Sequence, residues 1–167
     1  MTRIGLVSVA AILAALPAAA AQSSGPDPAV MATVDAALGA GQSGDMRKFA
    51  EQFAPDCTFI DEFAPFLWTG PNAIGGYLAS GGRMYQETQH AAGRMTAGPP
   101  AYVYVSGDRA FVVEPVSGTA TVRGKPYAEK GAFAFSLART EGRWKITSQT
   151  WTKTSESMDP YEVRTRP

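Results

Sequence analysis

Three titratable side chains are candidates for chemistry: Asp61, His90 and Glu114. A carboxylate enclosed by apolar residues can exchange protons near neutral pH, because burial raises its pKa toward the working range. His90 is the only histidine in the chain, and beside a carboxylate it would form an acid–base couple. Each has a structural alternative: Asp61 and Glu62 as a polar rim at a strand end, and His90 as an exposed or hydrogen-bonded histidine.

Glu114 shares one face of the predicted strand Arg109–Val122 with Ala110, Val112 and Val116. A carboxylate among apolar neighbours is costly unless it is paired. Glu114 is therefore either an acid inside a pocket or a sign that this face turns to solvent or to a partner subunit, since antiparallel sheets often leave one face wet.

No cofactor or metal ion is expected. One histidine and one cysteine, Cys57, are too few for a zinc site. The sequence contains no glycine-rich phosphate loop, no Ser/His/Asp set and no dinucleotide fingerprint. Cys57 cannot close an internal disulfide and is predicted to be a small buried hydrophobe.

Aromatic side chains are numerous for a chain of this size, and several should line a cavity with tyrosine hydroxyls as polar contacts. The predicted pocket residues, with Glu114, are Phe63, Trp68, Tyr77, Tyr102, Tyr104 and Trp151. Most aromatic residues must also belong to an ordinary core. The segment Phe63–Trp68 is densely apolar yet contains Pro65, so it is predicted to be a loop and a candidate lid or entrance surface.

Helical patterns precede the strands. Apolar spacing predicts a first helix over Ala29–Ala40, and Asp45 caps a second one that Pro55 ends. A short strand follows at Thr58–Asp61. Gly70 to Asn72 open a third helix, which Gly81 and Gly82 are predicted to stop.

The second half reads as a meander of strands separated by turn signals. Residues 84–97 are predicted to form its first long strand. Turns rich in glycine and charged residues then separate four more segments. These segments are Ala101–Val105, Arg109–Val122, Tyr127–Arg139 and Trp144–Thr154. Helices followed by a long meander predict an α+β fold with a curved antiparallel sheet over the helices.

The N-terminus has the pattern of a secretory signal. Arg3 precedes an apolar stretch that is too short to span a bilayer, and the small residues before Gln22 suit signal peptidase. We therefore expect a signal peptide over residues 1–21, a flexible arm over 22–28, one domain over 29–154 and a tail over 155–167. The expected location is secreted or periplasmic, without membrane insertion after cleavage.

The charge balance disfavours nucleic acid as a partner. Lys and Arg total 15 and Asp and Glu total 15, with no basic run. A small hydrophobic molecule is the expected ligand. The last strand has bulky or polar residues on both faces, which is typical of a strand covered on both sides, and this predicts a homodimer through the sheet face.

The order and spacing of these elements resemble the nuclear transport factor 2-like superfamily, specifically its SnoaL-like branch, over residues 29–154. The residues that carry the resemblance are Gly44-Asp45 with Phe49 and Phe53, then Asp56 to Asp61, Gly70 to Ile74 with Tyr77-Leu78, Val105 to Ala110, and Gly142 to Ile146. The resemblance implies a cystatin-like cone, in which a strongly bent antiparallel sheet packs on about three N-terminal helices and dimerises through its convex face. The family includes ketosteroid isomerases, polyketide cyclases and dehydratases, so the fold alone does not fix the function.

Asp61 falls where ketosteroid isomerases, by this resemblance, keep a general-base aspartate. Their oxyanion donors are not matched. The tyrosine position corresponds to Val34, and the acid position falls near Gly131 or Ala132. Two functions remain open: an exported pocket protein that binds a small molecule, and a cofactor-free isomerase, cyclase or dehydratase with Asp61 as base and His90 or a tyrosine assisting.

Overall fold

The computed structural model describes residues 27–157. The predicted signal peptide, most of the predicted arm and most of the predicted tail lie outside these residues. The elements, in chain order, are α1 Pro28–Ser43, α2 Met46–Ala50, β1 Phe53–Ile60, β2 Leu67–Thr69, α3 Ala73–Glu87, β3 His90–Ala97, β4 Tyr102–Ser106, β5 Arg109–Val122, β6 Lys125–Thr140 and β7 Arg143–Glu156.

The strands form one curved sheet in the order β2-β1-β7-β6-β5-β3, with β4 also paired to β5. Strands β5, β6 and β7 form the predicted meander, and the positive φ of Gly124 and Gly142 closes its turns. Register shifts in β6–β7 and in β3–β5 bend the sheet. The α+β cone is therefore confirmed, with one correction: β1 pairs with β7 in parallel, so the sheet is mixed.

The core lies between the helices and the concave face of the sheet. Helix α1 buries Val30 and Val34, and both are fully inaccessible to solvent. Strand β1 contributes Cys57 and Phe59, which are also fully buried, as predicted for Cys57. The meander supplies the facing residues Phe135, Leu137 and Ile146. Within residues 27–157, no helix has the length and apolar content needed to cross a membrane.

Two element boundaries differ from the sequence prediction. Helix α3 continues through Gly81 and Gly82 to Glu87, because neither glycine adopts a positive φ. Residues 84–87 are consequently helical, and the strand predicted from residue 84 begins at His90. Strand β1 begins at Phe53 and contains Pro55, which lies where the β1–β7 register is interrupted. No ladder hydrogen bond is required of a proline there.

Gly131 provides a test of how closely β6 and β7 pack. A Cβ at this position would meet the carbonyl oxygen of Thr152 and lie 2.5 Å from the Trp151 ring. We predict that Gly131→Ala lowers the free energy of unfolding by about 2 kcal/mol, because the overpacked sheet must shift. Gly82→Ala is the control: nothing lies within 4 Å of a Cβ in this helix, so it should stabilise by about 0.5–1 kcal/mol. Urea denaturation measures both, and equal values for the two variants would contradict the close approach.

Candidate functional site

Asp61 directly follows the last residue of β1 and is partly buried. Its backbone N–H donates to the carbonyl of Phe66 at 3.2 Å, which closes the segment 61–66 on itself. Its carboxylate accepts two hydrogen bonds, from the backbone N–H of Glu62 at 2.7 Å and from the hydroxyl of Tyr77 at 3.0 Å. These three hydrogen bonds hold Asp61 in place at the end of β1.

Tyr77 connects Asp61 to the centre of the sheet. It lies on α3, and its ring stacks on Phe59 of β1 with centroids 4.4 Å apart. Its hydroxyl accepts a hydrogen bond from Nε2 of Gln149, on β7, at 3.5 Å. Burial, followed by the charge of Asp61, raises the pKa of Tyr77 well above its ordinary value. Tyr77 is therefore a neutral hydrogen-bond donor to Asp61.

The pKa of Asp61 is raised from 3.8 to about 6. Burial is the largest cause, because it disfavours the charged carboxylate. The hydrogen bonds from Glu62 N–H and from Tyr77 lower the pKa, and the negative charges of Glu62 and Glu129 raise it. A carboxylate with this pKa is mostly ionised near neutral pH and still basic enough to accept a proton.

A cleft of about 670 Å³ opens beside this pair, between the segment 62–66 and α3. It is lined by Glu62, Phe63, Ala64, Pro65, Phe66, Ser80, Arg83, Met84 and Glu87. Asp61 is not itself a lining residue. It borders the cleft through Glu62, its neighbour in the chain, and through Phe63, whose ring packs on Tyr77 with centroids 5.6 Å apart. The predicted entrance segment therefore forms one wall of this cleft.

A charged network lies next to Asp61. Nζ of Lys153 is 2.9 Å from Glu62, 2.7 Å from Glu156 and 3.8 Å from Glu129. The Tyr127 hydroxyl donates to Glu129 at 2.7 Å. Sequence reasoning missed this network, although strand alternation contained a signal. Glu129 shares a face with the core residue Tyr127, and Lys153 shares one with Gln149.

His90 lies at the start of β3, against Thr88 rather than Asp61. Its Nδ1 is 2.8 Å from the Thr88 hydroxyl, which itself donates to the Met84 carbonyl. The histidine Nδ1 must then be the donor, which leaves Nε2 as the basic nitrogen. Burial lowers the pKa of His90, and the charge of Glu129 opposes this effect. Among the described residues no hydrogen bond joins His90 to Asp61, so the predicted couple with a carboxylate is not formed directly.

Of the seven predicted pocket residues only Phe63 lines this cleft, and two of the others lie on the opposite face of the sheet. Tyr102 and Tyr104, on β4, pair with Val113 and Phe111 of β5. These β5 residues alternate with the buried residues that face the helices, so both tyrosines lie on the convex face and are largely exposed. Their expected place in the pocket is therefore corrected. The side chains of β4 do alternate between the two faces of the sheet, but the sequence does not indicate which face is concave.

The remaining predicted pocket residues lie on the concave side. Trp68 is buried against Phe63, and Trp151 packs on Phe133 with centroids 4.8 Å apart. Glu114 is 2% exposed and its Oε2 has no hydrogen-bond partner among the described residues. Burial raises the pKa of Glu114, and the charge of Asp35 adds to this effect. In the described part of the chain, no three histidine, cysteine or acidic residues are grouped as they would be around a metal ion.

Comparison with known proteins gives a family match. A family model described as a SnoaL-like domain matches residues 30–151, as the sequence resemblance predicted. Among curated proteins, none matches the sequence.

Several solved structures share the fold. A hexachlorocyclohexane dehydrochlorinase from Novosphingobium barchaimii has a TM-score of 0.66 at 11% identity, over 77% of this chain and 86% of that one. A ketosteroid isomerase-like protein from Erwinia carotovora has a TM-score of 0.60 at 20% identity, over 76% and 95%. A protein with a cystatin-like fold from Nostoc punctiforme has a TM-score of 0.59 at 12% identity, over 75% and 89%. At these identities the similarity shows the fold alone.

Because Asp61 is partly buried, removal of its charge is expected to stabilise the folded protein. Because its pKa is about 6 in the folded chain and 3.8 ordinarily, the folded state binds the proton more tightly. Stability is therefore lost as pH rises through this window. We predict that Asp61→Asn raises the free energy of unfolding by roughly 1–3 kcal/mol at about pH 7.5, and that the gain disappears below about pH 4.

Urea denaturation at both pH values measures this effect. The control is Asp56→Asn, at an exposed position on the same strand, which should change stability by less than about 0.5 kcal/mol at either pH. A gain for Asp61→Asn that is equal at both pH values would show that removal of the charge is not its cause.

The Tyr77 hydroxyl should set part of the Asp61 pKa. Its hydrogen bond stabilises the ionised carboxylate, so Tyr77→Phe is expected to raise the pKa of Asp61 above about 6, by roughly half a unit to one unit. Carboxyl ¹³C NMR titration, assigned with Asp61→Asn, measures this. Tyr85→Phe, on the same helix but exposed, is the matched control. A larger effect from Tyr85→Phe would rule out the assigned donor.

Proposed function

We propose that this chain, which belongs to the SnoaL-like domain family, binds a small, mainly apolar molecule in its cleft and transfers a proton on that molecule with Asp61. The observation that carries the proposal is the hydrogen-bonded row of Gln149, Tyr77 and Asp61, which holds a carboxylate of raised pKa beside the cleft. Such a group takes up and returns protons without a cofactor.

The proposed step starts with ionised Asp61. Its carboxylate removes a proton from a carbon next to an electron-withdrawing group, and the C–H electron pair moves onto that group. Asp61 then returns the proton to another carbon, which gives isomerisation. Alternatively the electron pair expels a leaving group as an anion, which gives elimination, and Asp61 releases its proton to that anion or to water. Arg83 lines the same cleft, and its guanidinium would stabilise the negative charge that develops on the bound molecule.

Two of the similar structures favour this class of reaction. One is named a dehydrochlorinase and one an isomerase-like protein. Loss of hydrogen chloride and migration of a double bond both involve removal of a proton from carbon. The shared fold and these names support a class of reaction but not a particular substrate.

The second candidate function is binding without catalysis. Val34 is fully buried in the core, and Gly131 has no side chain. Neither position supplies the oxyanion donor that a ketosteroid isomerase would need. The open cleft would still accept an apolar ligand against Phe63 and Phe66.

The proposed setting is an exported homodimer. Export is supported by the signal-like residues 1–21. Dimerisation through the convex face is supported by the exposure there of Tyr102, Tyr104 and Phe111, since exposed apolar patches often mark contact surfaces.

The proton-transfer proposal predicts deuterium exchange. Cyclic ketones and β-hydroxy ketones are incubated in D₂O with the protein, and loss of the α-proton signal is followed by ¹H NMR. We expect the wild type to accelerate exchange of at least one probe, and Asp61→Asn to reduce that rate by about 10²–10⁴-fold. Asp56→Asn should retain the wild-type rate.

Two results would decide against the proposed reaction. Equal exchange rates in the wild type and in Asp61→Asn would remove Asp61 from the chemistry. Saturable binding of probes, seen as shifts of Phe63 and Phe66 resonances without any exchange, would support the binding function instead.

A further inference from the structure

We infer that Lys153 is a positioning residue for Asp61, because its ion pair with Glu62 fixes the segment 61–66 against the sheet. This inference rests on the proposed function of Asp61 and adds to it the group that holds the base in place. Neither the family resemblance nor the similar structures assign a role to Lys153.

The backbone pairing of β1 with β7 explains why the segment after β1 needs a side-chain contact to hold it. The parallel ladder between β1 and β7 ends at the pair Ile60 and Thr150. Beyond that pair the segment after β1 continues beside β7, and Glu62 lies 2.9 Å from Nζ of Lys153. The ion pair therefore continues the connection to β7 at the point where the backbone hydrogen bonds stop.

Lys153 is itself held firmly. Its side chain is 15% exposed, and Glu156 and Glu129 contact it from β7 and β6. Burial alone would lower the pKa of Lys153, but hydrogen bonds to Glu156 and Glu62 raise it above its usual value. The three carboxylates are 26–32% exposed, so removal of Lys153 would leave partly shielded negative charges without their shared counter-ion.

Glu62 connects the Lys153 ion pair to Asp61. The backbone N–H of Glu62 donates to Asp61 Oδ1 at 2.7 Å, so any displacement of Glu62 moves a hydrogen-bond donor of the base. Lys153 also offsets the charges of Glu62 and Glu129, both of which act on Asp61. The titratable groups that interact with Asp61 are Glu62 in its own segment, Tyr77 and Tyr85 on α3, and Glu129 on β6. Around these lie Lys153 and Glu156, which act on Glu62, and Tyr127 and His90, which face Glu129.

The test uses Lys153→Met in the full chain, with no substrate. Carboxyl ¹³C NMR should show the Asp61 pKa raised by about one unit, because two neighbouring carboxylates lose their counter-ion. Amide hydrogen exchange at Asp61, whose N–H closes the segment onto Phe66, should accelerate about tenfold or more. Lys153→Arg should retain both wild-type values, as should the control Lys130→Met, at an exposed site on β6.

The inference fails if Lys153→Met folds and leaves both the Asp61 pKa and the Asp61 amide exchange unchanged. If Lys153→Met does not fold, Glu62→Gln replaces it. That variant should also accelerate amide exchange at Asp61 but lower the Asp61 pKa, because a negative neighbour is removed. Unchanged exchange in Glu62→Gln would equally overturn the inference.

These measurements separate the two proposals. The NMR readouts do not depend on turnover. If they change as expected but the protein catalyses no deuterium exchange, only the catalytic role of Asp61 is excluded. Unchanged NMR readouts together with Asp61-dependent deuterium exchange would remove only the positioning role of Lys153.

Discussion

The parallel pairing of β1 with β7 is the contact on which the site depends. Strand β1 is the first strand described and β7 the last, so this pairing joins β1 and β2 to the meander in one sheet. It sets Phe59 beside Gln149 and Ile60 beside Thr150. Asp61 is thereby delivered to the concave side, where α3 returns over Phe59 and brings Tyr77 within hydrogen-bond distance. Three elements that are distant in sequence supply the Asp61–Tyr77–Gln149 row.

Burial of Asp61 has an energetic consequence. A carboxylate whose pKa is raised by desolvation destabilises the fold when it ionises, and hydrogen bonds from Tyr77 and Glu62 only partly offset this. Such a residue is poorly explained as a structural device, because a neutral side chain would avoid the cost of ionisation. Strained or costly groups that persist in an otherwise consistent structure are typical of functional sites.

The site has an inner hydrogen-bonded part and an outer ion-paired part. The inner part consists of hydrogen bonds among Gln149, Tyr77 and Asp61. The outer part consists of Lys153 among three glutamates. Because Glu62 belongs to the outer part and lines the cleft, the shape of the cleft, the position of Asp61 and the Asp61 pKa are physically connected.

The sequence by itself determined the class of fold, the family and the meander. Strand alternation and turn glycines such as Gly124 and Gly142 are local signals, and they set the limits of β5, β6 and β7 to within a few residues. It also indicated Asp61 and Tyr77, which lie in segments that match the family pattern. Local signals were misleading at Gly81 and Gly82, which are helical within α3.

The tertiary structure alone decided which candidates meet. Alternation assigns residues to two faces but does not say which face is concave, so Tyr102 and Tyr104 were placed in the pocket although they lie outside it. The pairing of β1 with β7 links residues about ninety positions apart, and no local pattern encodes it. The Glu62–Lys153 ion pair depends on that pairing, because it joins the end of β1 to β7, and Tyr77 reaches Asp61 because α3 packs on β1.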